Sequence, residues 1–235
     1  RYDEKTKLMI SYNLLKSASK MKYFTPTFKH YVADHVTSKF IKVDSAEWDI
    51  ALFLYLNGLG TTFFDPFWML MTNKATNFAL YLGLLFWFYR FKDAKQALFL
   101  LLSVGALILV TDQVTNVFKY GFERLRPCHT PELQDIMRLV KSSCGGLYSY
   151  FSGHASNSFA LATYFSIIFS TRFPKLKIVL FIIASCVAYS RVYIGVHFPL
   201  DILSGALFGT LWALCYYWIS SRVFDRFFSN TSLKI

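Results

Sequence analysis

From residue 75 onward the chain carries five long apolar runs joined by basic connections, one of them long. Ala75 to Tyr89 is closed by Arg90, Lys92 and Lys95, and Ala97 to Phe118 runs into Lys119. His154 to Thr171 is closed by Arg172, Lys175 and Lys177, Leu176 to Tyr189 follows, and Leu200 to Ile219 is followed by Arg222 and Arg226. With modest tilt or local thinning, each run is long enough to cross a hydrocarbon core of about 30 Å. The pattern predicts an all-α, polytopic membrane helix bundle with five core spans. Trp48 to Met71 is also apolar, but Asp49, Asn57, Gly58, Gly60, Asp65 and Pro66 interrupt it. Those breaks predict two short interfacial helices anchored by Trp48 and Trp68, with a sixth, irregular span as the alternative. Lys5 to Lys22 mixes lysines with Leu8, Ile10 and Leu14, as in an amphipathic helix lying on a membrane; a solvated extension is the competing reading. The organisation expected is an N-terminal extension over 1–45, a membrane-embedded domain over 46–226 and a tail over 227–235.

Composition supports the membrane reading, with 54% hydrophobic and 19% aromatic residues. A net charge of +11 would suit nucleic acid, yet no glycine-rich or aromatic nucleic-acid motif accompanies it. Basic flanks of membrane helices and a site for anionic headgroups account for it better. The connections at 90–95, 172–177 and beyond 222 carry that charge, so they are expected on the cytoplasmic side. The long connection from Lys119 to Gly153 and the stretch Ser190 to Asp201 then share the opposite side. This count also places residues 1–45 outside, which their lysines do not favour. Because the first residue is arginine, the sequence is expected to be a piece of a longer chain.

Chemistry concentrates in Ser190 to Asp201, which reads S-R-V-Y-I-G-V-H-F-P-L-D between two apolar runs. Charged groups are costly beside a bilayer and tend to mark a site. Pro199 suits the first turn of a helix, which puts His197 just before its start. Asp201, four residues on, can accept a hydrogen bond from one ring nitrogen and leave the other free for attack on phosphorus. Two further pieces lie in the long connection: K-Y-G-F-E-R-L-R-P, from Lys119 to Arg126 and Pro127, and F-S-G-H, from Phe151 to His154. Glycine lets a ligand approach the backbone, and Ser152 with the first helix amides can cradle an anion. Lys119, Arg126 and Arg191 would surround phosphoryl oxygens, the arginines as bidentate forks.

In this order the three pieces resemble the signature of the type 2 phosphatidic acid phosphatase superfamily: K-x6-R-P, P-S-G-H and S-R-x5-H-x3-D. Phe151, in the proline position, is the one departure. The resemblance implies that His197 is a nucleophile that becomes phosphorylated, that Asp201 orients it, and that His154 protonates the leaving oxygen. It further implies that Lys119, Arg126, Ser152, the Gly153 amide and Arg191 hold the phosphoryl group, with no metal or other cofactor.

The expected activity is hydrolysis of a lipid phosphate or diphosphate at the outer face of a bacterial inner membrane. Undecaprenyl diphosphate or phosphatidylglycerol phosphate is favoured, with lipid A phosphatase and lipid phosphotransferase as alternatives. Two readings from other classes remain: a vanadate-dependent haloperoxidase, disfavoured by the apolar spans, and a non-catalytic lipid-binding or transport protein. Cys128 and Cys144 are candidates for a disulfide over the site, with free thiols equally open. His129, Arg138 and Lys141 between them are candidates for a headgroup or second phosphate, or for plain solvation. Asp112, Gln113 and Asn116 are expected to face the bundle, and Gly205 and Gly209 to pack closely within the chain.

Overall fold

The structure, a computed structural model, describes residues 45–229 and 231–235. The amphipathic helix expected over Lys5 to Lys22 lies outside those residues. Among the described residues there are seven α-helices and no strand. They are α1 (Ser45–Gly58), α2 (Asp65–Thr72), α3 (Lys74–Tyr89), α4 (Ala94–Phe122), α5 (Gly153–Ile168), α6 (Leu176–Tyr193) and α7 (Pro199–Phe227). A compact unit runs from Leu52 to Ile235.

Local chemistry sets the helix ends. Asn73 and Asp93 start α3 and α4 by accepting from the amides of Ala75 and Gln96. Glu123, at φ 50°, ends α4 in the left-handed conformation. The N-G-L-G break separates α1 from α2, with the Gly60 amide returning to the Asn57 carbonyl at 3.1 Å.

Three helices, α4, α6 and α7, are long and apolar enough to cross a membrane, the mark of an integral membrane protein. The two remaining expected spans fold as α3 and α5, with 16 residues each, or about 24 Å at 1.5 Å per residue. α5 is the central element, lying against α4, α6 and α7. Its Tyr164, Phe165 and Ile168 pack into a core with Tyr81, Leu84, Phe88, Leu100 and Leu107. Gly205 and Gly209 let α7 approach it closely. A Cβ on Gly205 would come within 2.6 Å of the Ser152 carbonyl, and one on Gly209 would collide with the Ser156 carbonyl. The outward face of α7 is an apolar stripe of Leu203, Leu207, Leu211, Leu214 and Trp218, all exposed.

Two expectations need correcting. Gln113 and Asn116 are exposed rather than turned into the bundle. The buried face of α4 runs through Leu107, Thr111 and Thr115 at helical spacing, and residues 113 and 116 fall off it. Only Asp112 reaches a neighbouring helix, accepting from Asn157 Nδ2 at 2.8 Å. Trp68 does not stand free at an interface. It is half-buried against Tyr189 and Tyr193, with ring centroids 4.9 and 5.3 Å away.

Candidate active site

The end of α4, the start of α5, the end of α6 and the start of α7 bring the three sequence pieces to one end of the bundle. After α6 the chain folds back on itself, and the amides of Val196 and His197 both donate to the Arg191 carbonyl, at 3.1 and 3.2 Å. Gly195 makes this possible. Its φ is +85°, and a Cβ there would lie 2.6 Å from the Arg138 carbonyl. Pro199 then opens α7, placing Asp201 in its first turn.

His197 and Asp201 are fully buried. Asp201 Oδ2 lies 3.3 Å from His197 Nδ1 and accepts from the Phe198 amide at 2.9 Å. With the carboxylate as acceptor, Nδ1 carries the proton and Nε2 keeps its lone pair. Burial holds the pKa of the imidazole well below its ordinary value, reinforced by the charges of Arg191, Arg126, Lys119 and Arg124. One carboxylate, itself shared with an arginine, does not offset those cations.

The expected anion-binding groups surround this pair. Arg191 is buried at the end of α6, and its guanidinium donates to Thr72 Oγ1 while its Nε has no protein partner. Arg126 is held by the 144–148 loop, donating to the Cys144 carbonyl at 3.0 Å and the Tyr148 carbonyl at 3.2 Å. Lys119 is close enough to Arg126 and Arg191 for their charges to act on it. Ser152 caps α5, and its amide donates to the Asp201 carbonyl at 3.0 Å, joining the starts of α5 and α7. Gly153 follows it against Thr115. His154, in the first turn of α5, feels the charges of Arg191, His197, Lys74 and Lys119. Phe151 is buried, its ring 5.1 Å from those of Phe118 and Phe208. Hydrophobic packing thus fixes the loop where the signature has proline.

The connection between α4 and α5 folds over this end of the bundle. Cys128 and Cys144 are joined as a disulfide, and the Cys144 carbonyl is the one that Arg126 grips. Cys144→Ser should cost about 3 kcal/mol of stability by the loop-entropy estimate. It should also weaken anion binding at the expected phosphoryl site by loosening Arg126. Thermal unfolding and KM of the variant check this, with a mobility shift on non-reducing gels reporting the bond itself. Arg138 is tied into the protein, its guanidinium pairing through Nη2 with Asp65 Oδ2 at 2.5 Å while Nη1 has no protein partner among the described residues. Its backbone is clamped by Asn57, which accepts from the Arg138 amide at 2.7 Å and donates to its carbonyl at 2.9 Å.

Sequence reasoning passed over Arg124, Thr72 and Lys74. Arg124 Nη1 lies 2.9 Å from Asp201 Oδ1, and its guanidinium stacks over the Phe198 ring, 4.2 Å from the centroid. A signal was present in the alternation Arg124-Leu125-Arg126, which in extended backbone puts both arginines on one face. Thr72 ends α2 and Lys74 begins α3, and neither carries a local mark of its place beside the site.

The PAP2 superfamily profile matches residues 96–225, more than half of the chain. A lipid A 4′-phosphatase of Porphyromonas gingivalis is 37% identical over 161 residues, covering 68% of this chain and 67% of that protein. A lipid A 4′-phosphatase of Bacteroides thetaiotaomicron is 31% identical over 186 residues, covering 78% and 81%. Among solved structures, Aquifex aeolicus LpxE superposes with a TM-score of 0.58 at 24% identity, over 75% of this chain and 98% of that one.

Proposed function

Because the chain belongs to the PAP2 superfamily, we propose that it is a lipid phosphate hydrolase that removes the 4′-phosphate of lipid A by way of a phosphohistidine. The observation that carries the chemistry is the buried His197–Asp201 pair, 3.3 Å apart, set among Lys119, Arg126 and Arg191. Similarity to two lipid A 4′-phosphatases over two thirds or more of each chain favours this lipid. The undecaprenyl diphosphate and phosphatidylglycerol phosphate preferred on sequence grounds become the alternatives.

In this mechanism Nε2 of His197 attacks phosphorus as the bond to the sugar oxygen breaks, and His154 delivers a proton to that oxygen. Lys119, Arg126, Arg191, Ser152 and the Gly153 amide hold the three phosphoryl oxygens and neutralise their charge. Water, deprotonated by His154, then cleaves the N–P bond and releases phosphate.

Five spans remain our reading of the topology, with α3 and α5 crossing a locally thinned bilayer. Arg172, Lys175, Lys177, Arg222 and Arg226 lie at the bundle end opposite the site. That distribution supports a cytoplasmic location for them and a site facing the periplasm.

The test is phosphate release by the detergent-purified protein, with chelator present, from lipid A, undecaprenyl diphosphate and phosphatidylglycerol phosphate. Lipid A should give the highest kcat/KM. A higher value for either other lipid overturns the substrate assignment, and release from none overturns the hydrolase. The pH dependence should follow from the depressed His197 pKa. The nucleophile stays neutral through the ordinary histidine range, so the acidic limb of kcat/KM should fall below about pH 6.5. The same sign governs stability. An unfolded chain binds the proton that the buried ring refuses, so the unfolding temperature should fall as pH drops below about 6.5.

A further inference from the structure

We propose that Arg124 is a positioning residue, which holds Asp201 by its Oδ1 oxygen so that Oδ2 stays aimed at the His197 imidazole. The inference rests on the hydrolytic reading above and names a group outside the signature residues. A buried carboxylate must have its lone pairs met, and those of Asp201 are divided between two directions. Oδ2 serves His197 and the Phe198 amide, whereas Oδ1 takes Arg124 Nη1 at 2.9 Å, and the Ser149 side chain also lies against the carboxylate. Without the guanidinium, Oδ1 loses its charged donor, and only the uncharged Phe198 amide and Ser149 side chain remain to resist rotation of the carboxylate away from the ring.

Arg124 is itself held in place. Its guanidinium carbon lies over the ring of Phe198, the residue between His197 and Pro199, 4.2 Å from the centroid. Its carbonyl accepts from the Ser149 amide at 2.7 Å and from Ser149 Oγ at 3.2 Å. Leu125 pairs with Tyr148 in a single antiparallel bridge, so the backbone here is extended. Alternation then sends Arg124 and Arg126 to the same face, one to the carboxylate and the other to the expected phosphoryl pocket. One short segment thereby fixes the orientation of the nucleophile and the seat of the group it attacks.

The test compares wild type, Arg124→Ala and Arg124→Lys in the phosphate-release assay. Removing the partner that orients a metal-bound ligand typically costs about 10- to 100-fold in activity, and a loss of the same order is expected here. That loss should fall on kcat with KM unchanged, and lysine should restore most of it by keeping a charged donor. Arg124→Gln replaces the alanine variant if that protein is not recovered folded. An unchanged kcat, a loss carried by KM, or a lysine variant no better than alanine overturns the proposal.

A second readout needs no substrate. In protein labelled with 15N at histidine, the hydrogen-bonded Nδ1–H resonance of His197, identified by its absence from His197→Ala, should persist in wild type and Arg124→Lys. It should vanish in Arg124→Ala, and its survival there overturns the proposal. Absence of turnover by wild type overturns the hydrolase reading instead, and the spectra then decide the Arg124 arrangement alone.

Discussion

Replacing His197 with alanine is expected to lower kcat by about 10⁴-fold or more, the scale seen when a nucleophile that acts as one unit with its partners is removed. The size follows from what the side chain would do. No other described nucleophile shares its setting, with Nε2 free, Nδ1 tied to Asp201 and four cations near enough to act on the ring. Alanine leaves the cations in place, so the variant should still bind lipid phosphate and KM should change little. Protein exposed to radiolabelled substrate and quenched in alkaline denaturant, where a phosphohistidine survives, should carry label in wild type and none in His197→Ala. Label retained by the variant would move the nucleophile elsewhere. The fold should survive, because the loop is held by the amides of Val196 and His197 on the Arg191 carbonyl, which the substitution does not touch.

The second large effect should come from a position with no chemistry of its own. Gly209→Val is expected to prevent recovery of folded protein. Its side chain would collide with the Ser156 carbonyl on α5, and backbone in the central helix cannot swing aside as a flexible side chain can. Overpacking typically costs about 1–3 kcal/mol where side chains can adjust, and here they cannot. Size exclusion in detergent and thermal unfolding measure the result, and a monodisperse variant with unchanged unfolding temperature contradicts the argument. Gly205→Ala is the informative milder case. Its methyl meets the Ser152 carbonyl, so α5 should shift at its first turn, and activity should fall further than stability.

These positions show what was legible in the chain. Three short motifs could be read because the spacing of His197, Pro199 and Asp201 is local and α-helical geometry alone brings them together. Apolar runs announced the helices, and the intervals at Gly58 and Pro66 announced the break between α1 and α2. What could not be read depended on partners distant in sequence. Arg138 looked free for a headgroup until Asp65, 73 residues earlier, paired with it. Arg124 drew no reading of its own, because only the fold sets it against Asp201. The phase of Gln113 and Asn116 on α4 was hidden for a related reason, since nearly every side of that helix is apolar and hydrophobicity could not say which side was inward. The lengths of α3 and α5 fell short of a comfortable crossing because caps and turns, rather than the extent of the apolar run, ended them.

The apolar stripe on α7 begins at Leu203, two residues beyond Asp201, and stays exposed down to Trp218. A lipid substrate would therefore reach His197 from the side, travelling within its leaflet, and the encounter would be a search in two dimensions. Substrate supply would then be set by mole fraction in the surface rather than by concentration in the surrounding water. At constant bulk lipid, added detergent should slow turnover simply by spreading the substrate over more micelle surface.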